Sequence, residues 1–203
     1  LPKLKFECQS LTSFAGLVLV QRFFALLGLK GRLAGAFAHV KSGKVFARPI
    51  LFLELVLHLL LGYRELRESR YYRDDPLVKR LLGLKRLPDV ATLSRMLQEA
   101  DAKSVANLRA LLRELIFQRL RRLALARITL DFDGSVQSTS RRAEGTAVGY
   151  NKKKKGARSY YPLFCTIAQT GQVLDLFVPY EYGYEFKVVV TNKALSMAQV
   201  IAY

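Results

Sequence analysis

Asp131 and Asp133 are the sharpest candidates for chemistry in the chain, two residues apart in Leu130-Asp131-Phe132-Asp133-Gly134-Ser135. Apolar and polar residues alternate there, the mark of a strand, so the two carboxylates project from one face roughly 6.5–7 Å apart. A hard divalent cation takes oxygen ligands, and a carboxylate fixed at a strand end can hold such an ion against a phosphodiester. Two Asp before a glycine also suit a strand that simply gives way to a turn.

Downstream lie Arg141, Arg142, Lys152, Lys153, Lys154, Lys155 and Arg158, with Glu144 the one acid in that interval. Interleaved with Gly145, Gly149, Tyr150 and Gly156, they read as a loop able to track a phosphate backbone. A solvated basic loop and a nuclear-localisation signal are the alternative readings. Because the loop joins the Asp-bearing strand to its neighbour, it is expected beside the carboxylates. Other candidates fall away. Ser135, Ser138 and Ser140 have no histidine nearby to act as base. His39 and His58 are unaccompanied and read as core or surface residues, and Cys165 reads as a small buried hydrophobe.

The elements that must position these residues change character near position 125. Before it, apolar residues recur at helical spacing, with Val105, Leu108, Leu112 and Leu115 predicted on one face. Asp74-Asp75-Pro76 predicts a helix over 77–82 closed by Gly83, and Pro88-Asp89 a capped helix within 86–100. After 126 the period becomes two. Strands are predicted at 128–133, 160–168, 172–178 and 186–190, with Gln169-Thr170-Gly171 as a hairpin turn and 195–203 as a final helix.

Bulk properties agree with a folded, polyanion-binding chain. Its 203 residues carry 33 Lys+Arg against 16 Asp+Glu, a formal charge of +17, and the pI is near 10.1. Hydrophobic residues make up 51%, enough buried surface to offset the entropy of ordering, which excludes a basic disordered tail. Nucleic acid or an anionic membrane surface would suit the charge. Cys8 and Cys165 are far apart, so neither a disulfide framework nor a structural zinc site is expected and a reducing cytosol fits. The apolar runs 14–29 and 49–61 are interrupted by Gln21, Arg22, Glu54 and His58, and read as core helices rather than membrane spans. No secretory signal is visible, and the start at Leu1 suggests a fragment or an unusual start codon.

From Leu130 to Asp175 the chain resembles the DDE transposases of bacterial insertion sequences. The resemblance rests on Leu130-Asp131-Phe132-Asp133-Gly134-Ser135-Val136, Glu144-Gly145, Gly149-Tyr150-Asn151-Lys152 through Gly156, and Ser159-Tyr160-Tyr161-Pro162-Leu163. Thr92-Leu93-Ser94-Arg95 resembles a stretch of the amino-terminal DNA-binding region of such enzymes. The resemblance implies an α+β chain: a helical DNA-binding region over 1–125, then over 126–203 a partial RNase H-like mixed sheet. It further implies a bacterial cytoplasmic, nucleoid-associated protein that binds double-stranded transposon ends and uses Mg²⁺, with Asp133 as the first catalytic carboxylate and metal ligand and Asp131 as a helper.

Departures from the pattern accompany it. The resemblance implies a second Asp and a late Glu, yet after 175–178 the chain runs through Pro179 to Gly183 into 184–192, which resembles the strand before the Glu-bearing helix. A deleted middle is therefore expected, with neither acid assigned to Asp175, Glu181 or Glu185. The expectation is a truncated transposase without cleavage activity, prone to self-association through an exposed sheet edge. The alternatives are a DNA-binding remnant that interferes with an active enzyme, and a membrane-surface protein.

Overall fold

A computed structural model describes residues 10–41, 43, 45–139, 143 and 145–177. Cys8, Ser140, Arg141, Arg142, Glu144, Glu181, Glu185 and the elements expected at 186–190 and 195–203 lie outside the described residues. The chain divides into two compact units, Leu1–Arg127 and Ile128–Tyr203. The first is helical and the second is built of strands, an α+β chain with its helices first.

In the helical unit, α1 (Leu17–Leu26), α2 (Leu29–Ala36), α3 (Arg48–Leu60), a 3₁₀ turn (Leu66–Tyr71), α4 (Pro76–Leu82), α5 (Val90–Gln98) and α6 (Ala102–Leu123) follow in order. The apolar run at 14–29 does not make one helix: Gly28, at φ +59°, turns the chain between α1 and α2, a conformation that favours glycine. Asp75 caps α4 by accepting from the backbone N–H of Leu77 at 2.9 Å and of Val78 at 3.2 Å. It also accepts from Thr12 Oγ1 at 2.9 Å, tying the amino-terminal segment to the cap. Asp89 caps α5 through Thr92 N–H, and Asp101 caps α6 through Ser104 N–H. Each cap satisfies donors that the first helical turn leaves unpaired.

The core of this unit gathers Leu33, Leu53, Leu57, Tyr72, Val78, Leu81 and Leu82, and a smaller cluster joins Leu51, Leu93 and Met96. Helix α1 is less buried than its composition suggests: Leu17 and Phe24 are covered while Leu19, Phe23 and Leu26 are exposed. On α6, Ile116 and Leu120 are buried and Leu108, Leu111 and Leu115 pack half-buried against the core, whereas Val105 and Leu112, expected on that face, are exposed. Polar bonds fix this rotation. Ser104 is drawn to His39 and to the Asp101 cap, and Asn107 Nδ2 donates to the carbonyl of Ala36 at 2.8 Å. No helix among the described residues is long and apolar enough to cross a membrane.

The second unit contains β1 (Leu130–Gly134), β2 (Gln137–Ser138), β3 (Ala147–Val148), β4 (Arg158–Tyr160), β5 (Leu163–Ile167) and β6 (Gln172–Phe177). They form two three-stranded sheets in the orders β1-β5-β6 and β2-β4-β3, and every described ladder is antiparallel. The strand expected at 160–168 is two strands, β4 and β5, parted at Tyr161-Pro162. Proline has no N–H to give a ladder and restricts the residue before it. The register nevertheless runs on without slippage: Asp133 faces Phe164, Gly134 faces Leu163, Gln137 faces Tyr160 and Ser138 faces Ser159. Ser135 N–H bonds to the carbonyl of Pro162 at 2.9 Å across the gap. β2 and β4 thus prolong the β1–β5 ladder, and β3 is added on the outer side of β4. Gly171, at φ +65°, closes the β5–β6 turn.

Candidate functional site: a carboxylate pair and a lysine-tipped arm

Asp131 and Asp133 are both exposed on β1. Their partners across the ladder are Thr166 and Phe164, so one face of the sheet carries Asp131, Asp133, Thr166 and Phe164. Its other face carries Phe132 and the buried Cys165 and Ile167. Asp175 lies opposite Cys165, which lies opposite Phe132; its register places it on the face away from the two carboxylates, and its Oδ1 accepts from the N–H of Leu176.

The lysines are not beside this pair. Thr139 N–H bonds to the carbonyl of Arg158 at 3.1 Å, and from Asp133 to Thr139 an extended strand rises about 20 Å at roughly 3.3 Å per residue. The expected adjacency fails because the loop is the tip of a hairpin, β3 to β4, at the far end of a continuous ladder. Joining two neighbouring strands does not keep a loop short.

At the tip, Lys152, Lys153, Lys154 and Lys155 are all exposed, but the backbone beneath them is pinned. Asn151 is buried, and its Nδ2 donates to Ser138 Oγ at 2.8 Å and Ser159 Oγ at 2.9 Å. Its Oδ1 accepts from the N–H groups of Lys153 at 3.0 Å and Lys154 at 2.8 Å. One side chain thereby ties β2 and β4 together and folds the lysine turn over itself, the local bonding that makes Asn a turn former. Gly149 packs close to the Tyr161 side chain, where an added Cβ would meet the hydroxyl oxygen at 2.8 Å. Gly156 supplies a left-handed turn at φ +74°. Arg158, expected as a phosphate contact, braces the arm: its Nε donates to Thr146 Oγ1 at 3.0 Å and its Nη2 to the Thr146 carbonyl.

A family model described as Transposase DDE domain group 1 matches residues 3–177. The chain belongs to this family. No curated protein and no solved structure matches it. The match runs through the helical unit as well as the strands, so in this transposase family the helices are as much a part of the domain as the Asp-bearing sheet. Membership carries a role in transposition, hence DNA as partner and divalent metal as the family's cofactor. In this transposase chain the Asp131–Asp133 pair has the right chemistry for such an ion, two hard oxygen donors on one strand face. Among the described residues, no group of three His, Cys, Asp or Glu could hold a metal, so the pair by itself fits only one edge of a metal site.

Asn151 is not marked as functional by charge or by spacing, although it stands inside the Gly-Tyr-Asn-Lys motif. An asparagine directly before a run of lysines is a signal that could have found it, because such a residue caps the turn that displays them.

Proposed function

We propose that this chain is an insertion-sequence transposase fragment with an RNase H-like sheet, which grips double-stranded transposon ends through its lysine-tipped arm and does not cut DNA by itself. The observation that carries this reading is the arm: four exposed lysines on a turn held by the buried Asn151. A preorganised cationic turn forms phosphate contacts with little ordering cost at binding. Asp133, with Asp131 beside it in register, would contribute to Mg²⁺ binding as the first of several carboxylates. Two-metal hydrolysis needs ions about 3.5–4 Å apart clamped by several carboxylates. By motif, no Asp or Glu in 178–203 takes the second Asp or the Glu position, and among the described residues β1 and β6 have no strand on their outer sides, edges that would suit self-association.

Lysines 152–155 replaced by Ala should flatten the plot of log K against log salt for duplex DNA by up to about 3.6, at about 0.9 per phosphate contact. Equal slopes for parent and variant would remove the arm from the interface. Incubating the purified chain with duplex DNA and Mg²⁺ or Mn²⁺ should give no cleavage. Metal-dependent cutting that Asp133→Asn abolishes would overturn the claim of inactivity.

A further inference from the structure

Tyr150 is 79% exposed, more than any other large apolar residue among the described ones, and it stands between two immobilised neighbours. Gly149 on one side is packed against the Tyr161 ring. Asn151 on the other is buried and bonded to two serines and two backbone N–H groups. An aromatic ring left in water on a loose loop would be unremarkable, since single exposed hydrophobics are common. Here the backbone on both sides is packed or bonded, so the direction in which the side chain leaves the chain is set, outward into solvent. Residues 145–157 contain four lysines and no Asp or Glu, which makes the surroundings of the ring attractive to a polyanion and to little else.

We propose that Tyr150 is a stacking platform for a DNA base that has left its helical stack, the neighbouring lysines holding the phosphates on either side of that base. This rests on the reading of the arm as a DNA-binding element and specifies what its tip recognises. A flat ring beside clustered cations is the arrangement by which proteins hold unpaired nucleotides, since every base offers a π-face. The bases of an intact duplex are already stacked above and below, so the ring has a partner only where a base is unpaired or splayed. The arm therefore distinguishes distorted from regular DNA, without reading sequence through hydrogen bonds.

The test uses the full chain and two fluorescent duplexes, one fully paired and one carrying a single unpaired 2-aminopurine. Wild-type protein should bind the bulged duplex roughly tenfold more tightly, the scale of one base–aromatic stack, and quench the 2-aminopurine. Tyr150→Ala should lose the preference and the quenching while keeping its affinity and salt slope on the paired duplex. Tyr150→Phe should retain both, because the ring and not the hydroxyl does the stacking. Equal affinity of the wild type for the two duplexes, or equal losses on both in Tyr150→Ala, would overturn the stacking role and leave the DNA-binding arm standing. If lysines 152–155 can be replaced by Ala with no change in binding to either duplex, the DNA-binding reading itself fails and this inference with it.

Discussion

The helical unit is expected to lose stability as pH rises from about 4.5 to about 8, and Glu54→Gln to remove most of that loss. Glu54 sits on α3 with no solvent exposure, and neither of its carboxyl oxygens has a hydrogen-bond partner among the described residues. Burial pushes its pKa up from 4.5 to about 8, because a charged carboxylate in an apolar setting forfeits its hydration. The folded state thus keeps a proton that the unfolded state releases above pH 4.5. Glu54's contribution is complete below that pH, falls by roughly 1.4 kcal/mol per unit through the window, and levels off above about 8. An upper figure for the whole fall is about 4 to 5 kcal/mol.

His58, one turn further along α3, works against Glu54. Its Nδ1 bonds to the Tyr72 hydroxyl at 2.9 Å, and burial lowers its pKa, with Glu65 and Glu68 pulling the other way. A lowered histidine is lost to protonation as pH falls, so it opposes Glu54 just below pH 6.5 without reversing it. Tyr72 is raised by burial first and then by Glu54 and Tyr63, and stays neutral throughout. The Asp101 cap, lowered to about 2 by its bonds to Ser104 and then His39, loses its contribution only in strong acid. Urea midpoints followed by circular dichroism at pH 5 and pH 8 read the difference. The wild type should drop, Glu54→Gln should drop much less, and Glu54→Leu should exceed the wild type at pH 8, since a well-packed apolar side chain replaces an unpartnered one. Parallel pH dependence in wild type and Glu54→Gln would show that Glu54 is not the source.

Local patterns were legible and long-range pairing was not. Asp75-Pro76, Asp89 and Gly83 announced the ends of α4 and α5, because caps act within a few residues. The switch from helical to strand period near 125 marked where strands begin, and Asp131 and Asp133 share a face because alternation alone dictates it. Three features depended on partners distant in sequence. The rotation of α6 follows from Asn107 reaching Ala36 and Ser104 reaching His39, bonds that an apolar count cannot see. The remoteness of the lysines from Asp133 follows from the unbroken register across Pro162, which makes an arm of what reads as a loop. Glu54 and His58 looked like interruptions that argue against a membrane span, and whether they were exposed or enclosed depended on how Tyr72 packs.

Replacing Asn151 by Ala should release the arm's tip without unfolding the helical unit. Four hydrogen bonds end at this one side chain, and they differ in kind. The two to Lys153 and Lys154 N–H lie at an exposed turn, where water takes the place of the amide oxygen at small cost. The two to Ser138 and Ser159 hold β2 to β4, and Ser159 is wholly buried. Its hydroxyl still donates to the Ala157 carbonyl at 3.4 Å, but it loses the N–H that satisfies its oxygen, a loss of roughly 1–3 kcal/mol for a buried polar group left unpaired. β2 and β3 are two-residue strands, too short to hold the arm by their own ladders, so a cost of that size is enough to fray it. Hydrogen exchange of the Lys153 and Lys154 amides should therefore rise toward the unprotected rate while protection within α3 and α6 stays unchanged. Duplex DNA affinity should fall about tenfold through lost preorganisation, with a salt slope close to that of the parent because the four lysines remain. Asn151→Gln should behave like Ala, since its extra methylene carries the amide past both serines. Unaltered Lys153 and Lys154 exchange in Asn151→Ala, together with parental affinity, would mean that the lysines are positioned by something other than this side chain.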